Sequence, residues 1–185
     1  MDFKQLSWTE VIIACAIALL LVIISQRMKK GGKVILVGLS MIYIWVLLSM
    51  TVLPITIPTG RTPIREIMVH QQPWNLKPLS LIIPQYYNMM AGQSGAARQF
   101  IGNILLLFPF GLLLPLLFQS MRKWYMVFIV GFFTTVLIET LQLGLRIMGM
   151  GARSFDVDDI ILNTLGVILG YLIYKIFFSR AHKSA

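Results

Sequence analysis

E-T-L-Q-L-G-L-R-I-M-G-M-G-A-R-S-F-D-V-D-D-I-I-L-N occupies residues 139–163 and decides how the chain is read. It joins two long apolar runs, and each run carries polar groups where lipid-facing sequence has none. Glu139, Gln142 and Arg146 fall at i, i+3 and i+7 on the end of the first run, and Asp156, Asp159 and Asn163 repeat that spacing at the start of the second. On helices each trio lies on one face. An ionisable side chain inside a membrane segment is costly and faces a protein interior or a wet cavity. The remainder of the chain has to supply that shelter.

The composition agrees. The chain has 185 residues, of which 57% are hydrophobic and 12% charged, with a mean hydropathy of +0.80. A soluble domain has about a quarter of its residues charged, so a single all-α membrane domain over 1–185 is expected, a helical bundle. The formal net charge of +9 is scattered between apolar runs, with no long basic helix and no aromatic RNA motif. It points to anionic membrane lipid and not to nucleic acid. The lone Cys15 sits in an apolar run. It allows no intramolecular disulfide and no cysteine-based metal site, and with no basic or apolar region ahead of it, it reads as a buried small residue.

About five spans follow from the apolar runs: residues 8–25, 34–53, 100–118, 124–143 and 160–178. Six prolines between Pro54 and Pro84 rule out a further span over 54–98. That stretch is expected on the membrane surface, with Thr62-Pro63 opening a short helix to about Gln71. Trp74, Tyr86 and Tyr87 suit the headgroup zone. Pro109 and Pro115 should bend the third span, and Gly102 and Gly111 allow close helix contact. Gly166 and Gly170 form a G-x-x-x-G whose usual meaning is helix packing.

Counting Lys and Arg gives the orientation. Nine lie on one side, in the 26–33 loop, the 119–123 turn and the C-terminal end; seven lie on the other. The nine are denser and occur on short segments, so the N-terminus is expected outside, the C-terminus in the cytoplasm, and 139–163 at the outer face. On those boundaries Glu139, Asn163 and Asn103 each sit about 5–6 Å inside that face, and three spans bring polar groups to one level. A small polar pocket is one outcome. Helix capping by Asp156, Asp158 and Asp159, interhelical bonding by Asn103 and Asn163, and an ion-pair cluster joining Glu139 to Arg146 or Arg153 are the others.

At these residues the chain resembles the VanZ-like family of small multi-spanning membrane proteins. The blocks are Gly102-Asn103-Ile104-Leu105-Leu106-Leu107-Phe108-Pro109-Phe110-Gly111 with Leu114-Pro115; Glu139-x-x-Gln142 with Arg146; and Arg153-x-x-Asp156-x-x-Asp159 with Asn163 and Gly166. Trp74-Asn75-Leu76-Lys77-Pro78 resembles a loop segment that precedes them, and the likeness runs over about 74–172. The resemblance implies a protein of the bacterial cell membrane and envelope, in a family named for low-level resistance to the antibiotic teicoplanin. It places the family's polar residues at Asn103, Glu139, Gln142, Arg146, Arg153, Asp156, Asp159 and Asn163.

Two functions compete. The first is a binding protein without cofactor, whose outer pocket and basic loop take an amphiphile: a lipoglycopeptide or a lipid-linked wall precursor. Arg61, Arg65, Arg146 and Arg153 would meet its phosphate or carboxylate. The second is a membrane enzyme on an outer-leaflet lipid or wall intermediate. There Glu139 would be general acid or base, with Asp159 a further candidate and Asp156 and Asp159 free to hold Mg²⁺. His70 and His182 fall in a loop and the tail, far from the site in sequence. A transporter fits less well, because no internal repeat is visible.

Overall fold

A computed structural model describes residues 31–52, 74–150 and 153–178. The expected span over 8–25 with Cys15, the expected helix after Thr62, and Arg61, Arg65, His70 and His182 lie outside the described residues. The chain divides into two compact units, Met1–Trp45 and Val46–Ala185. The polar groups considered below all fall in the second.

Helix α1 is Gly32–Thr51. It is apolar nearly throughout, and its hydroxyls bond back to their own helix: Ser40 Oγ donates to the Leu36 carbonyl at 2.8 Å and Thr51 Oγ1 to that of Leu47 at 2.7 Å. Such bonding lets hydroxyls lie in hydrocarbon without an unpaired donor. A two-residue strand β1 (Trp74–Asn75) and a short helix α2 (Ile82–Met90) follow. Pro84 lies in the first turn of α2, where its missing N–H costs nothing. Helix α3 is Ser94–Leu117 and continues through Pro109 and Pro115. A 3₁₀ turn at Gln119–Arg122 leads to α4, Trp124–Ile147. Strand β2 (Phe155–Asp156) then runs into α5, Val157–Phe177. Strands β1 and β2 pair in parallel, Trp74 against Phe155 and Asn75 against Asp156.

Among the described residues four helices, α1, α3, α4 and α5, are long and apolar enough to cross a membrane. Leu165, Ile168, Leu169 and Leu172 on α5, and Phe133, Leu137 and Leu141 on α4, are exposed. Apolar surface on that scale needs lipid against it. The protein is an all-α, multi-pass membrane protein.

Three span boundaries differ from the sequence reading by three residues or more. Helix α4 ends at Ile147, not Leu143, because the glycine that stops it is Gly149. At φ 72° Gly149 takes the left-handed turn, with its N–H on the Arg146 carbonyl and that of Met150 on Leu145, a Schellman closure. Gly92, at φ 81°, closes α2 in the same way. Helix α5 starts at Val157, not Ile160, because Asp156 is its N-cap and accepts the Asp158 N–H at 2.8 Å. Helix α3 starts at Ser94, six residues before the apolar run, through the helix-favouring Ala96 and Ala97.

The closest packing is between α3 and α5. A Cβ at Gly111 would strike the carbonyl oxygen of Val167, one at Gly166 that of Ile104, and one at Gly170 that of Phe108. Val167 is fully buried and also fills the space left by Gly131 of α4. The G-x-x-x-G of α5 is therefore a backbone-to-backbone seam.

Candidate functional site

The polar trio of α4 lies on one face, as its spacing requires. Glu139 is 2% exposed, Gln142 is buried and Arg146 half-buried. The Gln142 amide reaches across to donate to the Thr51 carbonyl at the end of α1, at 3.1 Å. Glu139 Oε2 accepts the backbone N–H of Asp156 at 3.0 Å, a bond the sequence reading did not offer. A buried carboxylate on α4 thus holds the residue that caps α5. The Arg153 guanidinium, exposed to solvent, is within electrostatic reach of both Glu139 and Asp159.

On α5, Asp159 accepts a hydrogen bond from the Asn103 amide of α3. One turn deeper Asn163, 1% exposed, donates to Thr135 Oγ1 of α4 at 3.1 Å. Asn103, Glu139, Asp159 and Asn163 thus bind three helices together, as their common depth predicts. The depth itself is greater than the sequence implied. Glu139 lies eight residues before the end of α4, Asn163 six after the start of α5 and Asn103 nine after the start of α3. At about 1.5 Å per residue these are about 12, 9 and 14 Å from the helix ends.

Asp158 takes no part in the expected site, yet it makes more bonds than any residue that does. It is 1% exposed. Its Oδ1 accepts the N–H of Leu79 at 2.6 Å, and its Oδ2 accepts those of Leu81 and Ile82 at 2.6 and 3.1 Å. Leu81 and Ile82 are the N-cap and first residue of α2, and Leu81 offers no capping side chain. Asp158 therefore caps α2 from another helix, where a negative charge is favoured. It also holds Leu79 at φ 64°, a left-handed conformation that a leucine adopts only when its surroundings enforce it.

Asn75 completes the clamp. Its amide donates to Ser80 Oγ at 2.8 Å and to Asp156 Oδ1 at 3.1 Å, while its own oxygen accepts the Lys77 N–H at 3.3 Å. Burial pushes the Asp156 carboxyl above the usual carboxylate range, opposed by its bonds from the Asp158 N–H and the Asn75 amide. The only prior sign of Asn75 was its place in the Trp74–Pro78 segment. Asp158 carried no sign beyond its position at a helix start, because its partners lie 76–79 residues away.

The result is a surface segment, residues 74–90, tied to the buried start of α5. Helix α2 buries Gln85 and exposes Ile83, Tyr86, Tyr87 and Met90, an interfacial pattern in which tyrosines sit among headgroups. Among the described residues, no three His, Cys, Asp or Glu side chains converge as a metal site would require.

A family model described as VanZ/LLP1 matches residues 40–178. The match takes in all the helices of the second unit and part of α1, which carried no motif of its own. No curated protein and no solved structure matched the chain. The three polar blocks, brought together by hydrogen bonds between α3, α4 and α5, and a match over more than half its length make this chain a member of the VanZ/LLP1 family.

Proposed function

We propose that the protein acts at the bacterial cell envelope, with its 139–163 end outward, and binds an amphiphile there: a lipoglycopeptide such as teicoplanin, or a lipid-linked wall precursor. The observation that carries this reading is the exposed face of α2, held by Asp158 over a buried carboxylate network. Tyr87, Ile83 and Met90 offer an apolar bed for an acyl chain. Lys77 and Arg153 are exposed cations, and Arg61 and Arg65 are further candidates outside the described residues. They suit a phosphate or carboxylate at the headgroup level. In this reading Glu139, Asp159, Asn103 and Asn163 are positioning residues. They fix the start of α5, and Asp158 fixes α2 upon it. Retention of the amphiphile at the membrane surface would keep an antibiotic from its wall target, which is how binding becomes tolerance.

The test is binding to the purified protein in lipid nanodiscs. Teicoplanin should bind saturably, and its deacylated core should bind at least about tenfold more weakly, a loss of about 1.4 kcal/mol. Equal affinity for the two would remove the acyl bed from the account. No saturable binding of teicoplanin or of an undecaprenyl-linked precursor would end it.

A further inference from the structure

At the far end of α4 from the polar groups, α4 and α5 line an apolar groove of about 210 Å³. It is lined by Trp124, Val127, Phe128, Val167, Ile168 and Tyr171. Two basic residues, Arg122 and Lys123, immediately precede Trp124 of its lining. Lys123 precedes Trp124 and is exposed, with its ammonium 5.9 Å from the Tyr125 ring. The backbone of Arg122 is tied to the groove wall, because Tyr171 donates its hydroxyl to the Arg122 carbonyl at 2.9 Å. The Arg122 Nε–H is buried and has no hydrogen-bond partner among the described residues. An oxyanion is the group that pairs with a guanidinium and an ammonium side by side. Trp124 and Tyr125 mark this end as the headgroup level.

We propose that this groove is a binding site for an anionic phospholipid of the adjacent leaflet, the cytoplasmic one in the orientation given by the basic-residue count. The phosphate pairs with the Lys123 ammonium and with the accessible part of the half-buried Arg122 guanidinium, and one acyl chain lies along Val127, Phe128 and Ile168. The charge beside Trp124 and the dry groove wall match the two halves of such a lipid. The site is independent of the amphiphile reading, since it lies at the other end of α4 and shares no residue with it.

Tryptophan quenching tests it. A variant with Trp8, Trp45 and Trp74 changed to Phe leaves Trp124 as the sole reporter at the groove. It is reconstituted in phosphatidylcholine vesicles containing either dibrominated phosphatidylglycerol or dibrominated phosphatidylcholine of the same chains. Trp124 should be quenched at lower mole fractions of the anionic lipid. Arg122→Gln and Lys123→Gln should each reduce that preference about fivefold, and Lys33→Gln, which removes a charge elsewhere, should leave it unchanged. If Arg122→Gln fails to fold, Lys123→Gln at its exposed position carries the comparison. Equal quenching by the two lipids overturns the proposal, as does a preference that survives Lys123→Gln or that falls equally with Lys33→Gln.

Discussion

Helix α5 is held in two ways along its length. At Gly166 and Gly170 it meets α3 backbone to backbone, with no side chain and no polar group needed. At Asp156, Asp158, Asp159 and Asn163 it is held by hydrogen bonds from four directions: strand β1, the 79–82 turn, α3 and α4. The seam depends on shape and admits no added atom. The polar end depends on donors and acceptors, and admits any side chain that keeps them. A bundle that needed only stability could use the seam throughout, since apolar contact avoids the desolvation that buried carboxylates bring. That difference makes the polar end the place to look for function.

The largest effect should come from the seam. Gly170→Ala places a methyl group against the Phe108 carbonyl, and neither backbone can yield without parting the helices. A loss on the order of 3 kcal/mol is expected, the top of the overpacking range, seen as loss of the monodisperse peak in detergent. A loss below about 1 kcal/mol would show that the seam has slack and would break the contrast.

Asp158→Ala should come next. Three backbone N–H groups lose their acceptor, at a cost of about 2–3 kcal/mol because the 79–82 turn can take up water in part. The effect should be local. Hydrogen exchange should rise over residues 79–90 while α3 and α5 stay protected. Unchanged exchange in α2 would mean that Asp158 is not its cap. Leu79→Gly sharpens the same point with the opposite sign. Glycine accepts φ 64° without the side-chain penalty, so thermal stability should rise, by at most about 1 kcal/mol. A loss would mean that the exposed Leu79 side chain contributes more than its strain costs.

The smallest effect concerns pH. Asp156 holds its proton more tightly in the folded protein than in the unfolded chain. The folded state therefore binds more protons between the ordinary aspartate value and the raised one. Its contribution to stability increases as pH falls through the raised value and is complete below the ordinary one. Asp156→Asn should flatten that part of the stability profile, by about 1 kcal/mol or less, since the bonds from the Asp158 N–H and the Asn75 amide oppose the effect of burial. An identical profile in the variant would assign the pH dependence to another group.

Much of this was legible in the chain. Apolar runs of span length gave the four described spans, and the i, i+3, i+7 spacing of Glu139, Gln142 and Arg146 gave the buried face of α4. The equal depth of Asn103, Glu139 and Asn163 gave their convergence. What escaped was set by groups distant in sequence. Asp158 finds its donors in the 79–82 turn, and Asn75 finds Asp156 across 81 residues, pairings for which no local pattern exists. An arginine partner for Glu139 was one alternative the sequence offered; the bond from the Asp156 N–H was not among them, because a backbone donor leaves no mark in the side-chain pattern. The fourth span was ended at Leu143, with its apolar run, whereas α4 runs on to the turn at Gly149.

The central claim is that the buried polar end serves function and not stability alone, and Glu139→Gln tests it most directly. Glutamine keeps the shape and an oxygen to accept the Asp156 N–H, and it removes the ionisable carboxyl within reach of Arg153, one of the cations offered to the amphiphile. Membrane abundance should stay within about twofold of the parent, because the hydrogen bond survives. Teicoplanin binding in nanodiscs, and tolerance in a susceptible Gram-positive host where the parent confers it, should fall at least about tenfold. Normal abundance with unchanged binding and tolerance would contradict the account and leave Glu139 as a structural residue.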